Sequence, residues 1–302
     1  MTDTSGETSC GFVALLGAPN AGKSTLMNSM VGAKVSIVTQ KVQTTRTRIL
    51  GVTALGDAQL VFVDTPGIFK PRRRLDRAMV AAAWSGAADA DVVALLIDAG
   101  MRLEGDTRRI IDGLKQNEAR AVCVLNKIDT VPRENLLALI EELRAEDLFT
   151  DFFMVSALKG EGVEELKKFF AGRLPKGPWH FPADQLSDMN DRLFSAEITR
   201  EKLFLNLHQE LPYALTVETE TWEPFDNGAV KVEQVIYVER GSQKGIVLGK
   251  AGERIKRVRM LAQDDLKELL DRDVHLFLFV KVRENWADDP ERYRDWGLDF
   301  ST

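Results

Sequence analysis

The sequence predicts an α/β domain with a mostly parallel sheet and helices on both faces, followed by a smaller α+β domain. Up to about residue 173, short β-branched runs alternate with longer helical patterns, which is typical of a covered parallel sheet. A proline-rich stretch then interrupts this alternation, and the order of elements differs beyond it. We therefore predict domains at 1–175 and 190–302, joined by a linker at 176–189.

The first domain begins with a strand, a glycine-rich turn and a helix, and the alternation continues from there. Its strands are expected to be buried, because their apolar runs are continuous. The predicted strands are FVALL (12–16), LVFVD (60–64), VVALLID (92–98), AVCVLN (121–126) and FFMVSA (152–157). The later helical patterns cover 73–85, 107–116, 133–146 and 163–170.

The second domain opens with a helical pattern over 190–207, which two alternating strands follow, YALTVETETWE and VKVEQVIYVER. Alternation indicates that each strand has one buried and one exposed face. A glycine-broken helical segment and a last strand at 274–282 complete the domain. Because this order differs from that of the first domain, the chain is not an internal repeat.

Composition is that of a globular protein: 44% of the 302 residues are hydrophobic, 28% are charged, and the formal net charge is −6. Cys10 lies in a polar N-terminal stretch and Cys123 in an apolar, strand-like run, which argues against a disulfide framework. The first residues lack a secretory signal pattern, and no apolar run approaches the roughly 18 residues of a membrane span. We expect a monomeric cytoplasmic protein that does not bind DNA.

The stretch GAPNAGKS at 17–24 matches G-x-x-x-x-G-K-[ST], after a strand and at the start of a helix. Glycines let such a loop wrap around a phosphate, and the helix N-terminus offers N–H groups to it. Lys23 is expected to reach the β- and γ-phosphates, and the Ser24 hydroxyl to bind Mg²⁺. This loop alone does not distinguish ATP from GTP. The predicted phosphate-binding residues are Gly17, Ala18, Pro19, Asn20, Ala21, Gly22, Lys23, Ser24 and Thr25.

Three later motifs favour guanine, and the first of them is DTPG at 64–67, at the end of a strand. Asp64 can hold Mg²⁺ there, directly or through water, and the Gly67 N–H can approach a γ-phosphate. By itself this motif is equally well explained as a strand-end turn. The predicted ligand-binding residues of this motif are Asp64, Thr65, Pro66 and Gly67.

The other two motifs are NKID at 126–129 and SAL at 156–158, each after a strand. The Asp129 carboxylate can accept the ring N–H and the amino group of guanine, a donor pair that adenine lacks. Asn126 is expected to connect the base to the phosphate loop, and the Lys127 stem to lie over the ring. The Ala157 N–H is expected to meet the guanine O6. The predicted base-binding residues are Asn126, Lys127, Asp129, Ser156, Ala157 and Leu158.

With these motifs in this order, the first domain resembles the translation-factor-like superfamily of P-loop GTPases. The resemblance implies a first switch at 41–51, where a threonine closes over Mg²⁺ when the γ-phosphate is present. Thr44 and Thr45 are both candidates, and we prefer Thr45. The predicted Mg²⁺ ligands are then Ser24, Thr45 and Asp64, and the predicted catalytic residues are Lys23, Thr45, Gly67 and Asn20.

One position departs from many relatives, which carry a glutamine after Asp-Thr-x-Gly to orient the attacking water. This chain has Ile68, which cannot hydrogen-bond to water, so we expect slow intrinsic hydrolysis. Asn20 resembles the asparagine of relatives that use K⁺ in place of an arginine finger. An equally good explanation of Asn20 is that asparagine tolerates the turn conformation.

In the second domain, Gly249-Lys250-Ala251-Gly252 separates two helical stretches. A G-x-x-G turn of this kind is the loop with which KH domains hold the backbone of about four single-stranded nucleotides. From residue 190 the chain has 17 Lys and Arg against 22 Asp and Glu, yet basic residues crowd this turn. A solvated helix face is the alternative. The predicted RNA-binding residues are Gly249, Lys250, Ala251, Gly252, Ile246, Lys256 and Arg257, and we expect an apolar floor from Gly245, Ile246, Val247, Leu248 and Ile255.

The order of GTPase domain, proline-rich linker and KH unit resembles the Era-like subfamily of GTPases over nearly the whole chain. The segments GPWHFPADQLSD, AEITREKLFLNLHQELPYALTVETE, GSQKGIVLGKAGERIK and VKVRENWADDPERYRDWGLDF carry this resemblance. It implies a type II KH domain, GTP and GDP binding with Mg²⁺, and GTP hydrolysis coupled to 16S ribosomal RNA near its 3′ end. It also implies a role in maturation of the small (30S) ribosomal subunit and a peripheral membrane fraction.

Two functions remain open at this point. The first is a GTP-hydrolysing switch whose nucleotide state sets the exposure or angle of the RNA-binding domain. The second is an RNA chaperone in which the nucleotide is mainly structural, which Ile68 favours. A membrane-attached signalling GTPase is disfavoured, because the chain has no lipidation motif and no long basic amphipathic helix.

Overall fold

The computed structural model describes residues 8–39, 41, 44–207 and 211–301, and the chain divides into two compact units. The first unit comprises Met1–Ser36, Thr45–Asp188 and Tyr293–Thr302, and the second comprises Ile37–Thr44 and Met189–Arg292. Residues 37–44 and 293–302 therefore group with the other unit than predicted, and residues 176–188 of the predicted linker group with the first unit. Ile37 packs into the core of the second unit, and Tyr293 packs into a cluster of the first. Residues 42 and 43 of the predicted first switch lie outside the described residues.

The first unit is built on a six-stranded sheet in the order β2-β3-β1-β4-β5-β6. All neighbours pair in parallel except β2 and β3, which pair antiparallel, so the predicted mostly parallel α/β fold is confirmed. The strands are β1 Ser9–Gly17, β2 Ile49–Leu55, β3 Ala58–Asp64, β4 Val92–Asp98, β5 Ala121–Asn126 and β6 Phe149–Val155. Sequence analysis did not identify β2, because its first residues lie in the segment assigned to the first switch.

Helices cover both faces of this sheet. On one face, alternate residues of β1, β4 and β5 pack against apolar side chains of α2, α3 and α4, such as Ala83, Ile110 and Ile140. On the other face, α1 and α5 contact β2 and β3, and Phe170 meets Phe62 edge-on. The helices are α1 Lys23–Val31, α2 Arg74–Ala88, α3 Gly105–Gln116, α4 Arg133–Arg144 and α5 Val163–Ala171.

The proline-rich segment packs along the first unit and includes two isolated bridges to it, Ser9 with Lys176 and Gly51 with Ser187. Gln59 holds the middle of the segment. Its Nε2 donates to the Phe181 carbonyl at 2.8 Å, and its Oε1 accepts the backbone N–H groups of His180 and Phe181 at 2.9 and 3.0 Å. Residues 176–188 are therefore an ordered part of this unit.

The second unit has a three-stranded sheet in the order β7-β8-β9, in which β7 and β8 pair antiparallel and β8 and β9 in parallel. Helices α6, α7 and α8 bury one face, where Leu203, Val247 and Val258 pack against Ile236. This arrangement is the predicted KH-type α+β unit. Its elements are α6 Asp191–Asn206, β7 Leu215–Pro224, β8 Val230–Val238, α7 Gly241–Leu248, α8 Glu253–Leu270 and β9 Val274–Val282, and α9 Pro290–Asp295 follows.

Replacing Gln59 with leucine should lower the free energy of unfolding of the first unit by about 1–3 kcal/mol. The change removes one partner of three hydrogen bonds and leaves backbone groups of the segment partly unsatisfied. Chemical denaturation measures the loss, and Gln116→Leu, the same change at an exposed position, should stay within about 0.5 kcal/mol of the parent. Equal stability of the two variants would contradict the structural role of Gln59.

Candidate nucleotide site and RNA-binding surface

The predicted phosphate loop, residues 17–25, connects the carboxyl end of β1 to the start of α1. Gly22 adopts φ 97°, and a Cβ there would lie 2.2 Å from Nδ2 of Asn126, so only glycine fits. Asn20, at φ 65°, is exposed on the loop. The loop is therefore a bare backbone turn beside the side chain that we predict to connect it to a base.

Lys23 is folded back into this loop. Its ammonium group donates to the carbonyl oxygens of Gly17 and Ala18 at 3.1 and 3.2 Å. Burial lowers the pKa of Lys23 to about 8, and the nearby Asp64 carboxylate opposes this shift. A phosphate group next to Lys23 would raise this pKa again, because an adjacent negative charge stabilises the ammonium form.

Three hydroxyl groups converge on one oxygen of Asp64, at the end of β3. Oδ2 accepts from Ser24 Oγ at 2.7 Å, from Ser36 Oγ at 3.0 Å and from Thr45 Oγ1 at 3.2 Å. Ser24 and Thr45 are themselves 3.1 Å apart. The structure therefore brings together the three predicted Mg²⁺ ligands, and it adds Ser36, which no sequence pattern indicated.

The other oxygen of Asp64 suits a cation. Oδ1 is buried and has no hydrogen-bond partner among the described residues. Burial raises the pKa of this carboxyl group, against the opposing effects of Lys23 and the three hydroxyls. Hard oxygen donors of this kind are the ligands that Mg²⁺ prefers, and a divalent ion would stabilise the carboxylate form. The residues present therefore fit Mg²⁺.

The two threonines of the predicted first switch differ in their contacts. Thr45 is buried and points its hydroxyl to Ser24 and Asp64. The Thr44 hydroxyl instead meets Thr39 at 2.8 Å and donates to the Lys41 carbonyl at 2.8 Å. This geometry favours Thr45 over Thr44 as the Mg²⁺ ligand.

The residues after Asp64 return to the phosphate loop. Thr65 donates to the Leu15 carbonyl at 3.0 Å, and Pro66 is buried. Gly67 packs against the phosphate loop, since a Cβ there would lie 3.1 Å from the backbone of Pro19. The Ile68 side chain points into the core with 1% of its surface exposed, so it cannot orient a water molecule.

Asn126, at the end of β5, connects three loops through one buried amide group. Its Nδ2 donates to the Ala21 carbonyl of the phosphate loop at 2.8 Å. Its Oδ1 accepts the N–H groups of Lys127 at 2.8 Å and of Ala157 at 3.0 Å. The Ala157 N–H, which we predicted to meet the guanine O6, is therefore engaged by Asn126 here.

Asp129 stands at the open edge of this cluster. Hydrogen bonding from the Ser156 hydroxyl lowers the pKa of Asp129, with a further contribution from Lys159, whose ammonium lies 3.6 Å away. A carboxylate ionised in this way accepts two N–H donors, as recognition of guanine requires. The neighbouring Leu158 is 82% exposed, so its side chain makes little contact with the rest of the unit.

Sequence analysis missed Asp98, which ends β4 directly beside Asn126 in the sheet. One carboxylate oxygen accepts the Gly100 N–H at 2.9 Å, and the other lies 2.6 Å from the Lys127 ammonium. Asp98 thereby fixes the side chain that we expect to lie over the base. A polar residue ending a buried strand beside Asn126 was the signal that could have identified it.

In the second unit, the G-x-x-G turn joins α7 to α8. Gly249 has φ 76° and Gly252 has φ 79°, and a Cβ on Gly249 would lie 2.7 Å from the Arg254 Cβ, so the turn requires glycine there. Lys250 and Ala251 are exposed at its tip. Backbone therefore lies open at this turn, as contact with a phosphate requires.

The remaining predicted RNA-binding residues surround this turn. Lys256 and Arg257 are exposed on the first turns of α8, and Ile246 is 51% exposed on α7. Val247, expected in the apolar floor, is instead fully buried in the core of the unit. Successive helical residues point about 100° apart, so Ile246 and Val247 cannot share a face.

Comparison with known proteins assigns both units to families. A family model described as a 50S ribosome-binding GTPase matches residues 12–127, and a KH domain model matches residues 210–287. Among the described residues, no helix is long and apolar enough to cross a bilayer.

Full-length relatives match nearly the whole chain. GTPase Era from Rhizobium meliloti (strain 1021) is 58% identical over 99% of this chain and 98% of its own. GTPase Era from Brucella suis biovar 1 (strain 1330) is 55% identical over 98% and 95%.

Two solved structures share the fold at 37% identity over 96% of this chain and 99% of theirs. One is a crystal structure of Era in complex with MgGDPNP and nucleotides 1506–1542 of 16S ribosomal RNA, with a TM-score of 0.91. The other, with a TM-score of 0.90, is a single-residue variant of Aquifex aeolicus Era bound to GDP and AlF4⁻. Sequence and fold thus agree over both units, and the chain belongs to the Era family of GTPases.

Proposed function

We propose that this GTPase is a Mg²⁺-dependent switch that binds 16S ribosomal RNA near its 3′ end and acts in assembly of the small (30S) ribosomal subunit. The Asn126 amide is the observation that supports the nucleotide part most strongly, because it joins the phosphate loop to both base-recognition loops. The RNA part is supported by the exposed G-x-x-G turn and by the similar protein that binds MgGDPNP and this RNA together.

Within the proposed site, each group has one task. Lys23 and the loop N–H groups would bind the phosphates, and Ser24, Thr45 and Asp64 would hold Mg²⁺, which when bound would supply positive charge against the phosphates. Gly67 allows backbone contact with the γ-phosphate. Ile68 is apolar and buried, so the residue at that position cannot orient the attacking water. The basal rate of hydrolysis is therefore slow.

The first-switch segment supports coupling between nucleotide and RNA. Residues 37–44 belong to the second unit, where Glu201 accepts the Val38 N–H at 2.9 Å and Arg200 donates to the Thr44 carbonyl. Thr45, the next residue, hydrogen-bonds to Ser24 and Asp64 in the first unit. A movement of Thr45 with Mg²⁺ and the γ-phosphate would be passed to Thr44 through one peptide bond.

The second candidate is an RNA chaperone in which the nucleotide is mainly structural, and the burial of Ile68 favours it. RNA crosslinking with a GTP analogue and with GDP separates the two. A switch gives different RNA affinity in the two states and GTP turnover that the ribosomal 3′ end stimulates, whereas the chaperone gives equal affinity in both.

We also propose a monomeric, cytoplasmic protein with a peripheral membrane fraction. The membrane fraction rests on the family resemblance alone. Light scattering of the purified protein tests the monomer, and separation of cell lysate into soluble and membrane pools tests the location.

Asp129→Asn should lower affinity for GTP more than tenfold and create affinity for xanthosine triphosphate. The new amide cannot accept both guanine donors, and a missing hydrogen bond to a charged group costs about 1.5–3 kcal/mol. Equilibrium titration with fluorescent nucleotides measures both affinities, and Asp112→Asn on the exposed surface of α3 is the control. Unchanged GTP affinity in Asp129→Asn would end the guanine assignment.

Lys250→Asp combined with Ala251→Asp should abolish measurable 16S RNA binding while basal GTP hydrolysis and melting temperature stay at parent values. The change places two carboxylates where the Gly249–Gly252 turn meets phosphates, and each lost phosphate contact lowers the salt dependence by about one unit of slope. Arg272→Asp with Asn227→Asp alters charge equally at exposed positions of the same unit and should bind RNA normally. RNA binding as tight as the parent's would refute the KH interface.

Replacing Na⁺ with K⁺ at equal ionic strength should raise kcat at least about tenfold, a small part of the 10³–10⁵ that an arginine finger supplies. We propose that Asn20 helps to hold this cation at the phosphates, because its side chain is exposed on the phosphate loop. Asn20→Gly, which suits the φ of 65°, should erase the difference, and Asn117→Ala should keep it. Equal rates of the parent in the two salts would reject the K⁺ proposal alone.

A further inference from the structure

A dense group of basic side chains lies outside both sites described above. Within residues 70–77 the chain places one lysine and four arginines, all exposed, and one carboxylate, Asp76, which is buried. The whole chain carries a formal net charge of −6, so this group stands out strongly from its surroundings. We call Lys70, Arg72, Arg73, Arg74 and Arg77 the basic cluster.

The basic cluster is not part of a salt-bridge network. In the part of the chain that the structure describes, none of its members forms an ion pair with a carboxylate, whereas nine other Lys and Arg of the first unit do. Those nine are Arg102, Arg108, Arg109, Lys115, Arg120, Lys127, Arg144, Lys159 and Arg173. Among the described residues, the five members of the basic cluster therefore have no carboxylate partner of this kind, and Asp76 is the one acidic residue among them.

Self-repulsion and the helix dipole both make this arrangement costly. Arg72, Arg73 and Arg74 lie next to or at the first residue of α2, where the helix dipole already contributes positive charge. Exposed like charges in adjacent positions gain nothing from one another. Fold stability therefore does not explain the three arginines at this position. Binding of an anion would explain them.

The backbone beneath the basic cluster is fixed. Oδ2 of Asp76 accepts the N–H groups of Arg72 and Arg73, both at 3.0 Å. Phe69 and Leu75 anchor the segment from both sides in a buried cluster with Tyr293, Leu298 and neighbouring apolar residues of the first unit. The Arg74 guanidinium stacks 4.5 Å above the Phe300 ring. An ordered backbone lowers the entropy cost of binding a ligand through these side chains.

The chemistry of the cluster indicates a phosphate backbone. Guanidinium groups bind phosphates through two parallel hydrogen bonds, and four of the five side chains are arginines. A membrane surface is less well matched, because attachment to lipid usually adds apolar side chains that insert. Here Phe69 and Leu75, the apolar residues beside the cluster, are buried.

We propose that the basic cluster is a second RNA-binding surface, on the GTPase domain, which contacts the ribosomal RNA backbone in addition to the KH turn and strengthens binding that the KH turn begins. This inference rests on the proposed function, since it extends the contact with 16S ribosomal RNA to the first unit. Lys70 follows Gly67 by three residues. RNA bound here therefore contacts the segment that the γ-phosphate would order.

The test compares full-length 16S ribosomal RNA binding by the parent, by Arg72→Ala with Arg73→Ala, and by Arg102→Ala with Arg144→Ala. The last variant removes the same charge at exposed, ion-paired positions. In 150 mM KCl the cluster variant should bind about tenfold more weakly than the parent. Its plot of log affinity against log salt should be shallower by about two units, one for each lost phosphate contact. The control variant should match the parent in both.

The outcomes separate this proposal from the one it extends. If the parent does not bind 16S ribosomal RNA, the proposed function fails and this inference with it. If the parent binds and the KH variant Lys250→Asp with Ala251→Asp does not, while the cluster variant equals the parent, only the second surface is refuted. Equal losses of RNA affinity in the cluster and control variants would also refute it, because the loss would then follow from net charge and not from the position of the arginines.

Vesicles of phosphatidylethanolamine and phosphatidylglycerol test the competing occupant. The RNA assignment predicts that the cluster variant and the parent bind these vesicles equally. If the cluster variant loses vesicle binding and keeps full RNA binding, the basic cluster is a membrane-facing surface and the RNA proposal is overturned. Melting temperature and basal GTP hydrolysis of each variant confirm that the fold is intact.

Discussion

The side-chain amide of Asn126 is the interaction on which the arrangement of the nucleotide site depends. Parallel strands end at the same edge of a sheet, so β1, β5 and β6 deliver their loops to one place. Being close together would not by itself stop these loops from moving independently. Asn126 joins them through hydrogen bonds to Ala21, Lys127 and Ala157, with its own side chain buried. Only a glycine at position 22 leaves room for this amide.

Two charged groups of this site, Lys23 and Asp64, are buried in surroundings that disfavour their charged forms and that a ligand of opposite charge would improve. Burial shifts the pKa of Lys23 down and that of Asp64 up, so each group is disfavoured in its charged form. Oδ1 of Asp64 also lacks a partner among the described residues. Fold stability gains little from such an arrangement. A phosphate at Lys23 and a divalent cation at Asp64 would each stabilise the charged form of its partner, so the two groups suit a ligand better than they suit the empty fold.

The two surfaces that we assign to RNA would contact phosphates through different groups. At the G-x-x-G turn, glycine brings the backbone within reach of phosphates, and exposed Lys256 and Arg257 follow on α8. In the basic cluster, side-chain charge dominates, because the backbone is held in place by Asp76 and by apolar anchors below. A contact to each unit would let one RNA respond to a nucleotide bound in the first.

Sequence alone determined the fold class, the phosphate loop, the guanine motifs and the KH turn, because each is a local pattern of residue types with a physical requirement. Tertiary structure decided what depends on contacts between distant segments. It brings the Thr45 hydroxyl, and not that of Thr44, to Asp64, which supports Thr45 as the proposed Mg²⁺ ligand, and it places Ser36 and Asp98 at the site from segments far apart in the chain. It also buried Val247, since helical rotation, not hydrophobicity, decides which apolar residue faces the core.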